Sequence, residues 1–348
     1  MPLRVLTHMD KRTSYIFYLC GDSSKASSRV RGYWVAEELT SRGLECCLES
    51  RHTKLALISF ALKLPFYDVV IFQKTYGRWH LMLQRLATFL GKTTIFDLDD
   101  APSRSNDPVT LRNVTRMLKS VSVVTVGSKA LQTYADEYSN NVHLLPSAIR
   151  LESYQPVRRA TDPDKVVCLG WIGNGTHYKR DLIEILRGPL TEVASRYPVR
   201  FKLIGACEEV ELYEAFSNIP GLAIDLVDEI EWDDPKAVGI ALQDIDVGLY
   251  PLLSNEFNRY KCGFKALEYM AMSIPVVSSR VAENEDIILD GETGLFAEDS
   301  EGWKKCLLQL IEDAYWRVLM GTNGRRIVEQ RYSTQVVVNR LRSVLSYV

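Results

Sequence analysis

The sequence predicts an α/β protein made of two doubly wound halves, and three observations carry that reading. Short runs rich in Val, Ile and Leu alternate with amphipathic stretches of helical period along the chain, the pattern of parallel sheets covered by helices on both faces. The alternation breaks off at Arg150–Lys165, where Pro, Arg, Asp and Thr follow one another without periodicity, and then starts afresh; such a break reads as an interdomain linker. The length of 348 residues suffices for two ordinary domains, each with its own core.

In the first half, strands are predicted near Tyr15–Cys20, Leu44–Leu48, Asp68–Phe72, Thr94–Asp97, Val121–Val126 and Val142–Leu145. Helices fall between them at Ser28–Arg42, Tyr76–Leu90, Val109–Lys119 and Lys129–Tyr138. Ser27 or Ser28 is a natural N-cap for the first helix, because a short hydroxyl accepts from a free N–H of the opening turn. Leu55–Leu62, flanked by Arg51, His52, Lys54 and Lys63, reads as a core helix leading into the strand Val69–Phe72. Its alternative is an interfacial helix resting on anionic lipid. In the second half, strands are predicted at Val166–Trp171, Val199–Ile204, Gly221–Leu226, Val247–Tyr250 and Ile274–Ser278, with helices near Lys179–Ser195 and Asp234–Ala241 and a last helix at about Thr334–Tyr347. The expected organisation is a domain over 1–150, a linker over 151–165, a second domain over 166–332 and a terminal helix over 333–348.

Bulk properties exclude several classes. Hydrophobic residues make up 46% and charged residues 25% of the chain, an ordinary globular composition. The formal net charge is −2 and no long basic run occurs, which argues against a nucleic-acid polymer as partner. The seven cysteines (20, 46, 47, 168, 207, 262, 306) lack metal spacing and several lie in apolar runs. They read as reduced, packed thiols of a cytoplasmic protein. Adjacent Cys46 and Cys47 would point to opposite faces of a strand, which opposes a mutual disulfide. The histidines (8, 52, 80, 143, 177) show no metal-ligand spacing either. No signal peptide and no span of membrane length is visible, so cytoplasmic placement is expected, with peripheral contact to the inner membrane face as its extension.

The most informative stretch is Tyr260–Ser279, Tyr-Lys-Cys-Gly-Phe-Lys-Ala-Leu-Glu-Tyr-Met-Ala-Met-Ser-Ile-Pro-Val-Val-Ser-Ser, which reads as a helix followed by a buried strand. At 100° per residue, Lys261, Lys265 and Glu268 share one side of that helix. Two lysines in the opening turns oppose the macrodipole, a conflict that a phosphate-bearing ligand removes. A surface Lys265–Glu268 pair at i, i+3 is the simpler alternative. Gly263, Glu268, Met270-Ala271 and Pro275-Val276-Val277, with Asp290-Gly-Glu-Thr-Gly-Leu-Phe296 beyond them, resemble the signature of glycosyltransferase family 4, a group of retaining GT-B enzymes. The match is specific over about residues 245–300. It departs at Tyr260, where the family carries the first Glu of its motif, and at Ser273, where it usually has Gly.

The resemblance implies two Rossmann-like domains facing across a cleft and a C-terminal helix crossing back to the first. By the same resemblance Glu268 accepts from the ribose hydroxyls of a donor nucleotide, and the backbone at Gly263 and Phe264 meets the β-phosphate. Asn258, Arg259 and Tyr260 are neighbours placed to take the role of the missing Glu. In Gly170-Trp-Ile-Gly173-Asn174-Gly175-Thr176 the glycines allow close approach of a ligand to the backbone and the helix start can take phosphate; the order differs from the dinucleotide fingerprint. Trp171 stands where many family members have Arg, and Lys179 matches the family's Lys with extra residues between. Lys261 and Lys265 are therefore expected to supply the missing positive charge.

In the first half, Asp97-Leu-Asp99-Asp100 sets three carboxylates at the end of a strand, which repel one another unless a partner compensates. Asp99 and Asp100 best match a family acid near the reacting sugar, and are expected to orient an acceptor hydroxyl or stabilise developing positive charge. A helix-capping or turn role is the plain alternative, and Asp97 with Asp99 also forms a DxD triplet of the metal-dependent GT-A type. Ser28, Arg29 and Arg31, at a helix start, are weaker candidates for an anionic acceptor or the donor phosphate. The function implied is transfer of a sugar, with retention and without a required metal or cofactor, from a UDP- or GDP-linked donor to the hydroxyl of a glycan, lipid-linked or small-molecule acceptor. Glycan, polysaccharide or glycoconjugate biosynthesis is the expected setting. A metal-dependent GT-A-like transferase, a degenerate GT-B binding subunit and a nucleotide-sugar epimerase are the rivals.

Overall fold

The computed structural model describes residues 13–102, 107–157, 166–234 and 236–346; His8 and the linker positions 158–165 lie outside the described residues. The chain divides into two compact units, Met1–Ala148 with Tyr260–Cys262 and Tyr332–Val348, and Ile149–Arg259 with Gly263–Arg331.

The first unit is a six-stranded parallel sheet of β1 (Tyr15–Tyr18), β2 (Cys46–Glu49), β3 (Val69–Gln73), β4 (Thr93–Leu98), β5 (Val123–Val126) and β6 (Val142–Leu144). Its order is β2-β1-β3-β4-β5-β6. The strands are continuous apolar runs because helices cover both faces: β1, β3 and β5 are buried throughout. One face packs Phe60, Leu81, Val114 and Leu131 against the sheet. The other packs Leu39 with Val337, Val338 and Leu341 of the last helix, Thr334–Leu345, so the terminal helix belongs to this unit, tied also by Arg42 Nη2, which donates to Gln335 O at 3.1 Å.

Two local expectations change. The first helix starts two residues early, at Ala26 after Lys25, with no side-chain cap, and passes through a π-helical turn, Arg29–Tyr33. Ser27 and Ser28 are therefore inside it rather than capping it. The helix Lys54–Lys63 buries only Ala56 and Phe60 and turns Leu55, Ile58 and Leu62 outward, so it is a core helix on one side only.

The π turn carries Arg31 into the interior. Its Nε donates to Asp97 Oδ2 at 2.9 Å and its Nη1 to Leu145 O at 2.7 Å, while Thr125 Oγ1 donates to Asp97 Oδ1 at 2.6 Å. Burial opposes the guanidinium charge, but Asp97 outweighs it and holds the Arg31 pKa above its usual value. Arg31 is thus spent on Asp97 and does not await an anion, and Asp97 is spent on Arg31 and is not half of a metal-binding DxD pair.

The second unit is also a six-stranded parallel sheet: β7 (Val167–Ile172), β8 (Val199–Ile204), β9 (Leu222–Val227), β10 (Val247–Tyr250), β11 (Val276–Ser279) and β12 (Gly294–Ala297), in the order β12-β11-β10-β7-β8-β9. The strand β12 begins within the Asp-Gly-Glu-Thr-Gly-Leu-Phe run, for which no strand is expected from the sequence; it opens on Gly294, which sits opposite Val276. Trp171, Leu186, Phe201 and Phe216 are at the centre of the core. All seven cysteines are free.

The helix of the Tyr260–Ser279 stretch runs from Phe264 to Ala271, after Gly263 at φ +64°. A left-handed residue ends any helical register before it. Lys261 therefore does not share a helix face with Lys265 and Glu268, and it belongs to the first unit rather than the second. Among the described residues no helix is long and apolar enough to cross a membrane. Removing a carboxylate from a buried ion pair strands the remaining charge, so Asp97→Ala is expected to destabilise the first unit by about 3–5 kcal/mol in urea unfolding, with little change from Asp107→Ala beyond the loss of a helix cap.

Candidate active site

In open parallel sheets, ligands meet the carboxyl ends of the strands where the strand order reverses. In the second unit that point lies between β7 and β10. Beyond β7 the chain turns at Gly173, where a Cβ would fall 2.7 Å from Lys265 Cε and 2.8 Å from the Trp171 ring; only glycine leaves room there. Asn174 then caps the helix Gly175–Ala194, its side chain accepting from His177 N at 2.9 Å.

Lys265 enters the same place from the first turn of the helix Phe264–Ala271. Its ammonium lies 4.0 Å from the Tyr178 ring centre, 5.3 Å from Tyr250 and 5.5 Å from Trp171. It has no carboxylate partner among the described residues, so the i, i+3 pair with Glu268 is not formed. The ring faces attract the cation without cancelling its charge. The helix behind it has no side-chain cap, and a lysine at this end still opposes the macrodipole. Both features suit an anion. The helix is held in position by Tyr269, whose hydroxyl accepts from Ile172 N at 3.0 Å at the end of β7.

Glu268 is buried and accepts from Tyr154 Oη at 2.9 Å. Asn258 is buried as well, its Nδ2 donating to Asp181 Oδ1 at 2.8 Å and Leu253 O at 2.9 Å, which uses the amide to shape the loop. Lys179 pairs with Glu209 at 3.2 Å and Glu211 at 2.7 Å, and Thr176 is the second residue of the same helix. Arg259 lies on the surface, 3.9 Å from Glu256. The structure therefore gathers Gly173, Asn174, Gly175 and Lys265, with Gly263 and Phe264 at the start of the lysine's helix. Lys179 and Arg259 lie against carboxylates of their own.

The first unit has a separate cluster at the carboxyl ends of β1, β3 and β4, where its own strand order reverses. Asp100 Oδ2 is 3.1 Å from Lys74 Nζ and Asp100 Oδ1 is 3.3 Å from Lys261 Nζ. Asp99 Oδ1 is 3.7 Å from Lys74, and its other oxygen accepts from Ser27 Oγ, which in turn accepts from Gln73 Nε2 at 2.9 Å. Burial pushes the Asp100 carboxyl up, but the two ammonium groups outweigh it and hold the pKa at about 2. The same acids, working against burial, hold Lys74 above the usual lysine range. Two lysines balance two aspartates, so the repulsion expected among these acids is met by protein cations. Among the described residues no group of acidic, His and Cys side chains is arranged to hold a metal. Asp99 Oδ1 has no hydrogen-bond donor among the described residues.

The weaker candidates are used within the unit. Arg29 Nη1 donates to Ser23 O and Ser24 O, both at 3.0 Å, and so pins its own loop. Ser28 Oγ is 3.4 Å from Cys20 Sγ and fully buried. Tyr260 belongs to this unit, with its carbonyl accepting from Ser128 Oγ at 3.3 Å. Sequence reasoning missed Lys74, Ser27 and Gln73 around the aspartates and Tyr178 and Tyr250 around Lys265. A lysine directly after the buried run Val69–Gln73 was the available signal for Lys74; the rings carry no sequence signal apart from strand order.

The chain is similar to known proteins in sequence and in fold. Residues 166–313 match the family model described as "Glycosyl transferases group 1". The D-inositol 3-phosphate glycosyltransferase of Corynebacterium diphtheriae is 26% identical over 231 residues, covering 64% of this chain and 49% of that protein. The capsular polysaccharide biosynthesis glycosyltransferase CapM of Staphylococcus aureus is 32% identical over 84 residues, covering 24% of this chain and 22% of that protein. The matches thus span no more than about half the length of these curated relatives. Among solved structures, HepE of Anabaena in complex with UDP-glucose has a TM-score of 0.70 at 14% identity, covering 96% of this chain and 100% of that one. At such identity the likeness is one of fold, and it bears out the GT-B fold that the sequence resemblance implied.

The depressed Asp100 pKa carries a stability consequence. A carboxylate held at about 2 in the folded chain against 3.8 as its ordinary value adds stability that is complete above about pH 4 and is lost as pH falls through 2, on the order of 2 kcal/mol. Urea unfolding between pH 5 and pH 2 is expected to show this loss in the native chain and a flatter profile in Asp100→Asn.

Proposed function

We propose, from the match of residues 166–313 to the family model for glycosyl transferases of group 1, that the chain moves a sugar from a nucleoside-diphosphate sugar to an acceptor hydroxyl with retention of anomeric configuration. The observation that carries the proposal is Lys265, a cation set among three rings at the strand-order reversal of the second unit and lacking a carboxylate partner among the described residues. A lysine set among rings with no carboxylate to cancel it suits a diphosphate.

In this reading the donor diphosphate lies against Lys265 and the starts of the helices Phe264–Ala271 and Gly175–Ala194. As the glycosidic bond to the leaving phosphate lengthens, negative charge grows on the diphosphate and these fixed charges and dipoles stabilise it. The acceptor hydroxyl attacks from the same face and gives its proton to a leaving phosphate oxygen, so the scheme needs neither a covalent protein intermediate nor a metal. Asp99, one of whose oxygens is buried without a hydrogen-bond donor among the described residues, is the acid proposed to orient the acceptor hydroxyl. Asp100 and Lys261 act through their mutual pairing, and Glu268 acts on the nucleotide ribose.

A uridine nucleotide is the first donor to test, because the structurally similar HepE was captured with UDP-glucose. The similarity to CapM, whose name places it in capsular polysaccharide biosynthesis, favours polysaccharide or glycoconjugate assembly, with a glycan, lipid-linked or small-molecule acceptor.

A nucleotide present at 100 times its Kd is expected to stabilise the chain by about 2.7 kcal/mol, read as a rise in Tm with UDP, GDP or their sugars. Lys265→Ala should weaken that binding at least tenfold, about 1.4 kcal/mol, with transfer surviving excess chelator. No thermal shift with any diphosphate nucleotide, or an unchanged Kd in Lys265→Ala, overturns the reading.

A further inference from the structure

Two helices of the first unit pack side by side on the same core, Phe60 and Leu64 following from the Lys54–Lys63 segment and Leu81 and Ala87 from Arg78–Phe89. They are joined near both ends. His52 and His80 meet edge to face at 5.5 Å near their starts, and Lys92 Nζ donates to Pro65 O at 2.8 Å beyond their ends. The helices therefore run in the same direction and share one outward surface.

That surface is apolar to a degree that a solvated face does not require. Leu55 is 79% exposed, Leu62 70%, Phe66 77% and Phe89 86%, with Trp79 and Met82 about half exposed. The spacing is not scattered. Leu55, Ile58 and Leu62 lie within an arc of about 60° on the first helix, and Trp79, Met82 and Phe89 within about 80° on the second. Apolar stripes on two adjacent helices, exposed to this degree, mark a surface that another body covers.

The charges name that body. The segments 54–66 and 78–92 contain Lys54, Lys63, Arg78, Arg85 and Lys92 and no acidic residue, in a chain whose formal net charge is −2. A protein partner or a second copy would be met by mixed charge. Leucines and aromatic rings on two helical segments that carry cations and no acidic residue match the boundary between acyl chains and anionic headgroups, with the lysine stems able to follow the apolar surface and keep their ammonium groups among the phosphates. We propose that this face docks the chain on the surface of an anionic phospholipid bilayer. The inference rests on residues separate from those of the proposed transferase site, so either can fail without the other.

The test is sedimentation of the full chain with vesicles of phosphatidylcholine alone and with about one third phosphatidylglycerol added, at two salt concentrations. The chain is expected to sediment with the anionic vesicles, to stay in solution with the neutral ones, and to lose binding as ionic strength rises past about 0.15 M, where the Debye length is about 8 Å. Leu62→Glu with Phe89→Glu should lower partitioning at least tenfold, and Lys54→Glu with Arg85→Glu should remove the preference for anionic lipid. These positions are exposed, so both variants should keep the far-ultraviolet circular dichroism and Tm of the native chain. Failure to bind anionic vesicles overturns the proposal, as does equal binding to neutral ones. A native chain that is dimeric in light scattering, and made monomeric by Phe89→Glu, also overturns it by assigning the face to a second copy.

Discussion

The chemistry of the second unit depends on how a positive charge can be fixed in place without being neutralised. A carboxylate would hold Lys265 firmly but would also cancel it, and an unpartnered ammonium on a flexible stem would wander. Three aromatic rings solve both problems, since they attract the cation through their faces and carry no net charge. The surrounding sequence serves that arrangement. Gly173 leaves space for the lysine stem, Tyr250 and Trp171 come from neighbouring parallel strands, and the Tyr269 hydroxyl fastens the lysine's helix to the end of one of them.

The first unit reaches the opposite result at the equivalent place in its own sheet. There Lys74 and Lys261 are matched against Asp99 and Asp100, and the group is close to electrically neutral. Below it the Arg31–Asp97 pair, enclosed by Thr125 and the Leu145 carbonyl, locks the strand ends together. One sheet thus keeps an ammonium apart from any carboxylate among the described residues, whereas the other consumes charge in its own framework and leaves Asp99 Oδ1 buried without a hydrogen-bond donor among the described residues. Topology alone brings polar groups to the ends of parallel strands. Which of them remain available is decided by the neighbours that chance to lie within a few ångströms.

The difference between topology and neighbours also explains what was legible in the sequence. The strands are runs of apolar residues with nothing to compete with the signal, and Val199–Ile204 and Val247–Tyr250 emerge with the bounds the sequence suggests. The short β12 did not, because a strand opening on glycine within a turn-like run has little local preference. The helix start near Lys261 was misplaced because helical periodicity says nothing about φ, and Gly263 is left-handed. Ser273 shows the same limit from the other side: it adopts φ +55°, a conformation suited to the glycine usual at that place in the family it resembles. Lys265 and the Gly173–Gly175 turn were readable as chemistry, since cations and glycines stand out in sequence. Arg31 and Lys179 also stand out, but their carboxylate partners Asp97, Glu209 and Glu211 lie far from them along the chain, so the sequence gives no sign of the pairing.

The three residues Tyr260–Cys262 are part of the first unit although Arg259 before them and Gly263 after them are part of the second, and the terminal helix also returns to the first. Neither half is therefore a contiguous piece of polypeptide. A gene truncated after residue 148 would encode a sheet lacking the ammonium of Lys261 beside Asp100 and stripped of Val337 and Leu341 from its core. Tandem duplication or swapping of one half between related chains would meet the same obstacle, so recombination within this architecture must carry the returning segments along with the sheet they complete.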